Sequence, residues 1–146
     1  NVPVEAMDLE YDYFRVVNHS LHEDSGGVGM YRGGMGLCRH YEILKDGVTF
    51  ATYSDRFRLS SDGLFGGGPG KNAVTFLKRD GELQNLPSKG KFNLKKGDIL
   101  MIATGGGGGY GNATERSAAK IDRDLSEDFI SVETARDAYG MSNAAE

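Results

Sequence analysis

Seventeen of the chain's 22 glycines fall in three short clusters, and these constrain the fold more than any other feature. The first is Asp24-Ser25-Gly26-Gly27-Val28-Gly29-Met30-Tyr31-Arg32-Gly33-Gly34-Met35-Gly36. The second is Gly63-Leu64-Phe65-Gly66-Gly67-Gly68-Pro69-Gly70, and the third runs from Gly105 to Gly111 with Tyr110 as its one side chain. Glycine loses more conformational entropy on folding than any other residue; in return it reaches φ > 0 and lets another backbone or a ligand come into contact. Clusters bordered by strand-like sequence therefore predict shaped, close-approach backbone in place of flexible linkers.

The stretches between the clusters alternate in the manner of strands. Tyr11–Leu21 and Leu37–Leu44 are aromatic and β-branched, and Val48–Ser54 follows the second across Asp46-Gly47. An Asp-Gly pair supports a two-residue turn with φ > 0, so these two segments are expected to form a hairpin. Ala73–Lys78 precedes a second such pair, Asp80-Gly81. Lys89-Gly90-Lys91 and Lys95-Lys96 are expected in turns. Ile99–Ala103 is apolar without alternation, which predicts a strand buried on both faces.

After Asn112 the period becomes helical, with Ala118, Ile121 and Leu125 on one stripe. A second helix is expected over Val132–Tyr139, capped by Ser131 and stopped by Gly140, with Val132, Ala135 and Tyr139 inward. The expected class is α+β: a predominantly antiparallel β body with glycine-rich loops over 1–112, a helical hairpin over 113–140 and a tail over 141–146, one domain overall.

At 146 residues and 38% hydrophobic, the chain can build one core. A net charge of −4 without a basic stripe disfavours nucleic acid. No apolar run reaches the length of a membrane span. The one cysteine, Cys38, cannot form an internal disulfide and fits a reducing cytoplasm. The first residue is Asn1, which points to a processed or fragmentary chain, or to numbering that begins after a lost start.

Sites for chemistry are few. The glycine runs invite phosphate binding, yet the fingerprints fail. A phosphate loop ending at Gly70-Lys71 would need glycine at Phe65 and Ser or Thr at Asn72, and a dinucleotide motif from Gly27 meets Arg32 where its third glycine belongs. His19, His22, His40 and Cys38 are not spaced to converge on a metal, and Cys38 is expected to act as a small buried hydrophobe. Ser54-Asp55-Arg56 ends a strand beside a glycine-rich loop, where Arg56 could hold Asp55 or a partner's carboxylate. The local chemistry alone assembles no catalytic constellation.

Taken in order, Val2-Pro3-Val4-Glu5, Asp24–Gly29, Tyr31–Gly36, Ser54-Asp55-Arg56, Gly63–Gly67, Leu86-Pro87-Ser88-Lys89, Lys96-Gly97-Asp98, Gly105–Gly111 and Tyr139-Gly140 resemble the C-terminal portion of the hydantoinase B/oxoprolinase family. The resemblance covers nearly the whole chain. It implies a subunit several times longer than this chain, partnered by a hydantoinase A-like subunit of kinase-like fold that binds ATP and phosphorylates the substrate's amide or enol oxygen. It also implies a multi-subunit cytoplasmic enzyme that hydrolyses a cyclic amide of the hydantoin or 5-oxoproline type. The alternatives are an acetone- or acetophenone-type carboxylase and a non-catalytic assembly module. ATP and a divalent metal are expected in partner chains or in the preceding part of the subunit, so the isolated chain is expected to be inactive. Asp24, Ser25, Arg32, Ser54, Asp55, Arg56, Gly107, Gly108 and Tyr110 are expected to face a substrate passage or a subunit interface. No catalytic residue or metal ligand is assigned.

Overall fold

The computed structural model describes Ala6 and residues 10–141; the Val2-Pro3-Val4-Glu5 motif and residues 142–146 of the tail lie outside the described residues. Seven strands are present among the described residues: β1 (Phe14–His22), β2 (Gly36–Ile43), β3 (Val48–Tyr53), β4 (Val74–Arg79), β5 (Glu82–Asn85), β6 (Lys89–Leu94) and β7 (Ile99–Ala103). Five form an antiparallel sheet in the order β1-β2-β7-β4-β5, and β3 with β6 forms a separate two-stranded ribbon. A 3-10 turn (Ala113–Glu115) leads to α1 (Ala118–Ser126) and α2 (Val132–Tyr139). The mostly antiparallel body and the closing helix pair agree with the expected class.

One face of the sheet meets the ribbon. Ile43, Leu77, Leu86, Leu94 and Leu100 are buried there, with Phe14, Tyr41, Val48, Phe50, Phe92 and Ile102 packed around them. Arg79 closes one end of this core: its guanidinium donates to both carboxylate oxygens of buried Asp98 (2.9 and 2.5 Å), which also accepts from the Lys95 amide at 2.8 Å. Arg79 holds the Asp98 carboxyl below the usual carboxylate range, against the opposing pull of burial.

Asp80-Gly81 makes the β4–β5 hairpin with both residues at positive φ (51° and 86°), as a primed two-residue turn requires. Asp46-Gly47 does not make the expected hairpin. β2 pairs with β1 and β7, while β3 pairs with β6, so this turn carries the chain from the sheet to the ribbon. Asp46 is held there by accepting from the Lys96 amide at 3.0 Å. Lys89-Gly90-Lys91 begins β6 and is not a turn. β7 is central, but only Leu100 is fully buried; Ile99, Met101 and Ala103 are half-buried on the face away from the ribbon.

The helix pair forms its own core from Ile121, Ile130, Ala135 and Tyr139. The Ser131 hydroxyl accepts from the Thr134 amide at 3.1 Å, and Gly140 ends α2 at φ 71°, as its sequence predicts. Ala118 and Val132 are exposed, contrary to the expected stripes, because the first residue of each short helix lies outside the core.

Candidate functional site: a bundle of touching glycine backbones

β1 and β7 end, and β2 and β4 begin, at one end of the sheet. All three glycine clusters leave from that end and come together there. A Cβ placed on Gly27 would stand 2.2 Å from the Gly68 carbonyl oxygen; on Gly33, 2.0 Å from that of Gly107; on Gly70, 2.4 Å from that of Gly106. Real Cβ contacts do not reach such distances, so each position admits glycine alone unless the backbone shifts.

Within the third cluster the neighbours rotate residue by residue. The missing side chain of Gly106 faces the Ser25 carbonyl, that of Gly107 faces Gly34, and that of Gly108 faces the Asp62 carbonyl. At Gly109 the Val28 carbonyl returns to the same flanking segment three residues on. A three-residue period is that of an extended polyproline-type helix, which has no internal hydrogen bonds and must find partners sideways. They are found: the Gly27 amide donates to Gly107 (2.8 Å), Gly107 to Gly34 (2.9 Å), Gly68 to Val28 (2.7 Å), Gly109 to Gly68 (2.9 Å), Leu64 to Gly109 (2.9 Å) and Gly106 to Lys71 (3.1 Å). Of the glycines in the three clusters only Gly66 and Gly111 have positive φ. Close approach, and not a left-handed backbone, is therefore what demands glycine through most of the bundle.

These amides are spent on neighbouring carbonyls and are not free to cradle a phosphate. Among the described residues no group of three or more His, Cys, Asp and Glu side chains could hold a metal ion.

The site residues inferred from sequence distribute around this bundle. Ser25 is fully buried, and its hydroxyl accepts from the Gly36 amide at 2.8 Å, tying the first cluster to β2. Asp24 accepts from the Ser131 amide at 2.9 Å, bracing the start of α2; Lys71 lies 3.7 Å from its other oxygen. Burial opposes ionisation of Asp24, but its bonds to Ser131 and Thr134 win and hold the carboxyl below its ordinary range. Gly107 and Gly108 lie within the bundle, and Tyr110 stands at its exposed end.

Arg32 is a strut. Its Nε and Nη2 donate to Asp124 of α1 at 3.1 and 3.4 Å, Nη1 donates to the Gly33 carbonyl at 2.9 Å, and the guanidinium lies over the Phe129 ring. Arg116 donates to the same carboxylate at 2.6 Å and to the Met30 carbonyl at 3.1 Å. Asp124 is thus a buried hub, bonded by two guanidinium groups that also hold first-cluster carbonyls. It joins the helix pair to the bundle. The sequence reading missed it, though Asp124 is a charge set between Ile121 and Leu125 on the apolar stripe of α1.

Ser54-Asp55-Arg56 divides. Arg56 does not bond Asp55: its Nη2 donates to the Ser61 hydroxyl and, at 3.2 Å, to the Gly106 carbonyl, bracing the third cluster from outside. Asp55 pairs with Lys89 at 3.3 Å near the surface. Ser54, Asp55, Arg58 and Lys89 line a depression of about 470 Å³. Arg58 therefore shares the hollow that Asp55 faces, while Arg56 belongs to the bundle. Of the other groups, the Cys38 thiol is pushed up by partial burial, and His22 lies 3.2 Å from the Thr104 carbonyl.

Residues 1–113 match the model of a family described as hydantoinase B/oxoprolinase. A putative D-/L-hydantoinase B-type chain from Pseudomonas sp. is 30% identical over 97% of the chain and 24% of its own length. The beta chain of the Pseudomonas jessenii caprolactamase is 30% identical over 91% of the chain and 24% of its length. The crystal structure of the ATP-dependent caprolactamase from that organism superposes with TM-score 0.81 at 24% identity, over 94% of this chain and 24% of that one. A nucleotide-free acetone carboxylase superposes with TM-score 0.76 at 17% identity, over 95% and 23%. These two likenesses are of fold. The chain spans about a quarter of the length of the curated relatives that it matches over nearly all of its own.

Proposed function

Because the chain belongs to the hydantoinase B/oxoprolinase family, we propose that it is the glycine-bundle module of a B-type subunit in a cytoplasmic, ATP-dependent enzyme that hydrolyses a cyclic amide. The observation that carries the reading is the bundle itself. Three sequence-distant segments interlock through carbonyl contacts that admit no side chain, and the matched chains include those named for a hydantoinase and a caprolactamase. ATP and a divalent metal would be held by a hydantoinase A-like partner and by the remainder of the B-type subunit. This module supplies a rigid wall. Asp24, Arg32 and Arg56 lock its segments, and Ser54, Asp55 and Tyr110 present its outer polar and aromatic groups to a passage or an interface. Backbone packed without side chains moves little, which suits a surface that must hold reacting groups in place.

The experiment is a substrate panel on the purified assembly, following phosphate release from ATP. Hydantoin, 5-oxoproline or a lactam should stimulate it and be opened to the amino acid or carbamoyl product. Stimulation only by a ketone with bicarbonate would favour the carboxylase reading, which the acetone carboxylase likeness in fold keeps in view. No stimulation by either class would leave the assembly role.

A further inference from the structure

Four large side chains stand exposed at the far end of the bundle. Tyr31 and Tyr110 face each other with ring centres 6.2 Å apart, and Phe65 lies 5.1 Å from Tyr110 with Leu64 beside it. All four are exposed, Phe65 the most among the described large apolar residues after Tyr53, at 78%. Phe65 is also held at φ 52°, in the left-handed region that non-glycine residues avoid, although glycines flank it two residues before and one after. Within this chain the Phe65 ring touches only the edge of this exposed cluster, against Tyr110, so most of its apolar surface faces water in an unfavourable backbone geometry.

The aromatic end runs into a cationic hollow of about 350 Å³. Arg32 and Arg116 there are neutralised only by the shared Asp124. Lys120, whose ammonium lies 4.8 Å from the Tyr31 ring centre, and Arg123 take part in no ion pair among the described residues. The chain as a whole is acidic, so this positive excess is local. Aromatic anchors beside arginine match the core composition of assembled interfaces, and a lysine at the edge suits their polar rim.

We infer that Tyr31, Leu64, Phe65 and Tyr110, with Lys120 and Arg123 at their edge, dock another subunit of the assembly through a segment that seats an apolar side chain among the rings and sets carboxylates against the two cations. The inference rests on the proposed multi-subunit enzyme and names the partner chemistry at Tyr110 and the hollow beside it. The rings supply the buried contact, and the cations set register and speed encounter.

Replacing Phe65 by the photo-cross-linking residue p-benzoylphenylalanine in the assembled enzyme tests this. The expected product is a cross-link to a peptide of a different subunit carrying Asp or Glu beside an apolar residue. A cross-link confined to this polypeptide or to a second copy of it, a target without carboxylates, or no cross-link would overturn the inference. Two variants separate docking from folding. Phe65→Gly relieves the backbone, so it should leave thermal stability unchanged or raised while weakening subunit association at least tenfold. Lys120→Glu with Arg123→Glu should weaken it similarly at low salt and flatten its salt dependence, whereas Lys45→Glu, at the other end of β2, should not. Unchanged association in the first two, or an equal loss in Lys45→Glu, refutes the docking surface. ATP-coupled turnover by the unaltered assembly, measured alongside, keeps that failure distinct from a failure of the proposed function.

Discussion

Adding one methyl group within the Gly105–Gly109 run separates positions that the sequence cannot tell apart. A Cβ on Gly106 would lie 1.9 Å from the Ser25 carbonyl oxygen, and on Gly108 2.0 Å from that of Asp62. On Gly107 the nearest atom is the Gly34 nitrogen at 3.2 Å. The clashing atoms are backbone on both sides, so relief requires a bundle segment to move by more than an ångström. Overpacking of this kind costs about 1–3 kcal/mol. At Gly106 the displaced Ser25 carbonyl is also the acceptor of the Lys71 amide, and Gly106 donates to Lys71 in turn; leaving buried partners unmade adds about 1–3 kcal/mol.

Gly106→Ala should therefore destabilise by about 2–5 kcal/mol, the sum of those ranges with partial relaxation, and Gly108→Ala by the overpacking range alone, about 1–3 kcal/mol. Gly107→Ala gains about 0.4–1 kcal/mol from the unfolded chain and gives most of it back at one tight contact, for a net change near zero. Urea unfolding of each variant against wild type, at matched concentration, reads these differences directly. If Gly106→Ala and Gly108→Ala unfold at the midpoint of Gly107→Ala, the run is an ordinary loop and the interlocked bundle is wrong.

Asp124→Ala should cost about 3–5 kcal/mol, because two largely buried guanidinium groups lose their common partner; proteolysis within residues 113–141 should then outpace cleavage of the sheet. Arg56→Ala should cost about 1 kcal/mol through its lost bond to the Gly106 carbonyl. Asp55→Ala, which breaks an exposed pair, should stay within about 0–1 kcal/mol in the same melts. Asp98 is held below its unfolded pKa, so its contribution is present above about pH 4 and is lost as pH falls through the folded value. Acid titration should thus show a shallower loss of stability between about pH 5 and 2 for Asp98→Asn than for wild type, from a lower starting point at neutral pH.

The elements with local signals were legible. Ser131 and Gly140 bound α2 because capping is a short-range matter of one hydroxyl and one left-handed residue. Asp80-Gly81 forms its hairpin for the same reason. Asp46-Gly47 looks alike in sequence, but β2 already finds β1 and β7 as neighbours, and the choice between partners is made by the sheet as a whole. β5 carries an exposed, polar pattern and β6 a glycine and three cations or amides, so neither advertises a strand. The glycine clusters announced close approach but not which carbonyl each would meet. Asp124 stayed hidden because its partners lie 92 and 8 residues away, one of them inside a cluster dominated by glycine.

The most direct measurement of the central claim compares ATP-coupled opening of a cyclic amide by the 146-residue chain alone and by the same chain within its assembly. The account predicts no turnover by the chain alone, since the described residues hold no convergent acid–base or metal constellation. It predicts ATP-dependent turnover in the assembly, lost when Gly108 is replaced by valine. Turnover by the purified chain free of partners, or an assembly indifferent to Gly108→Val, would contradict it.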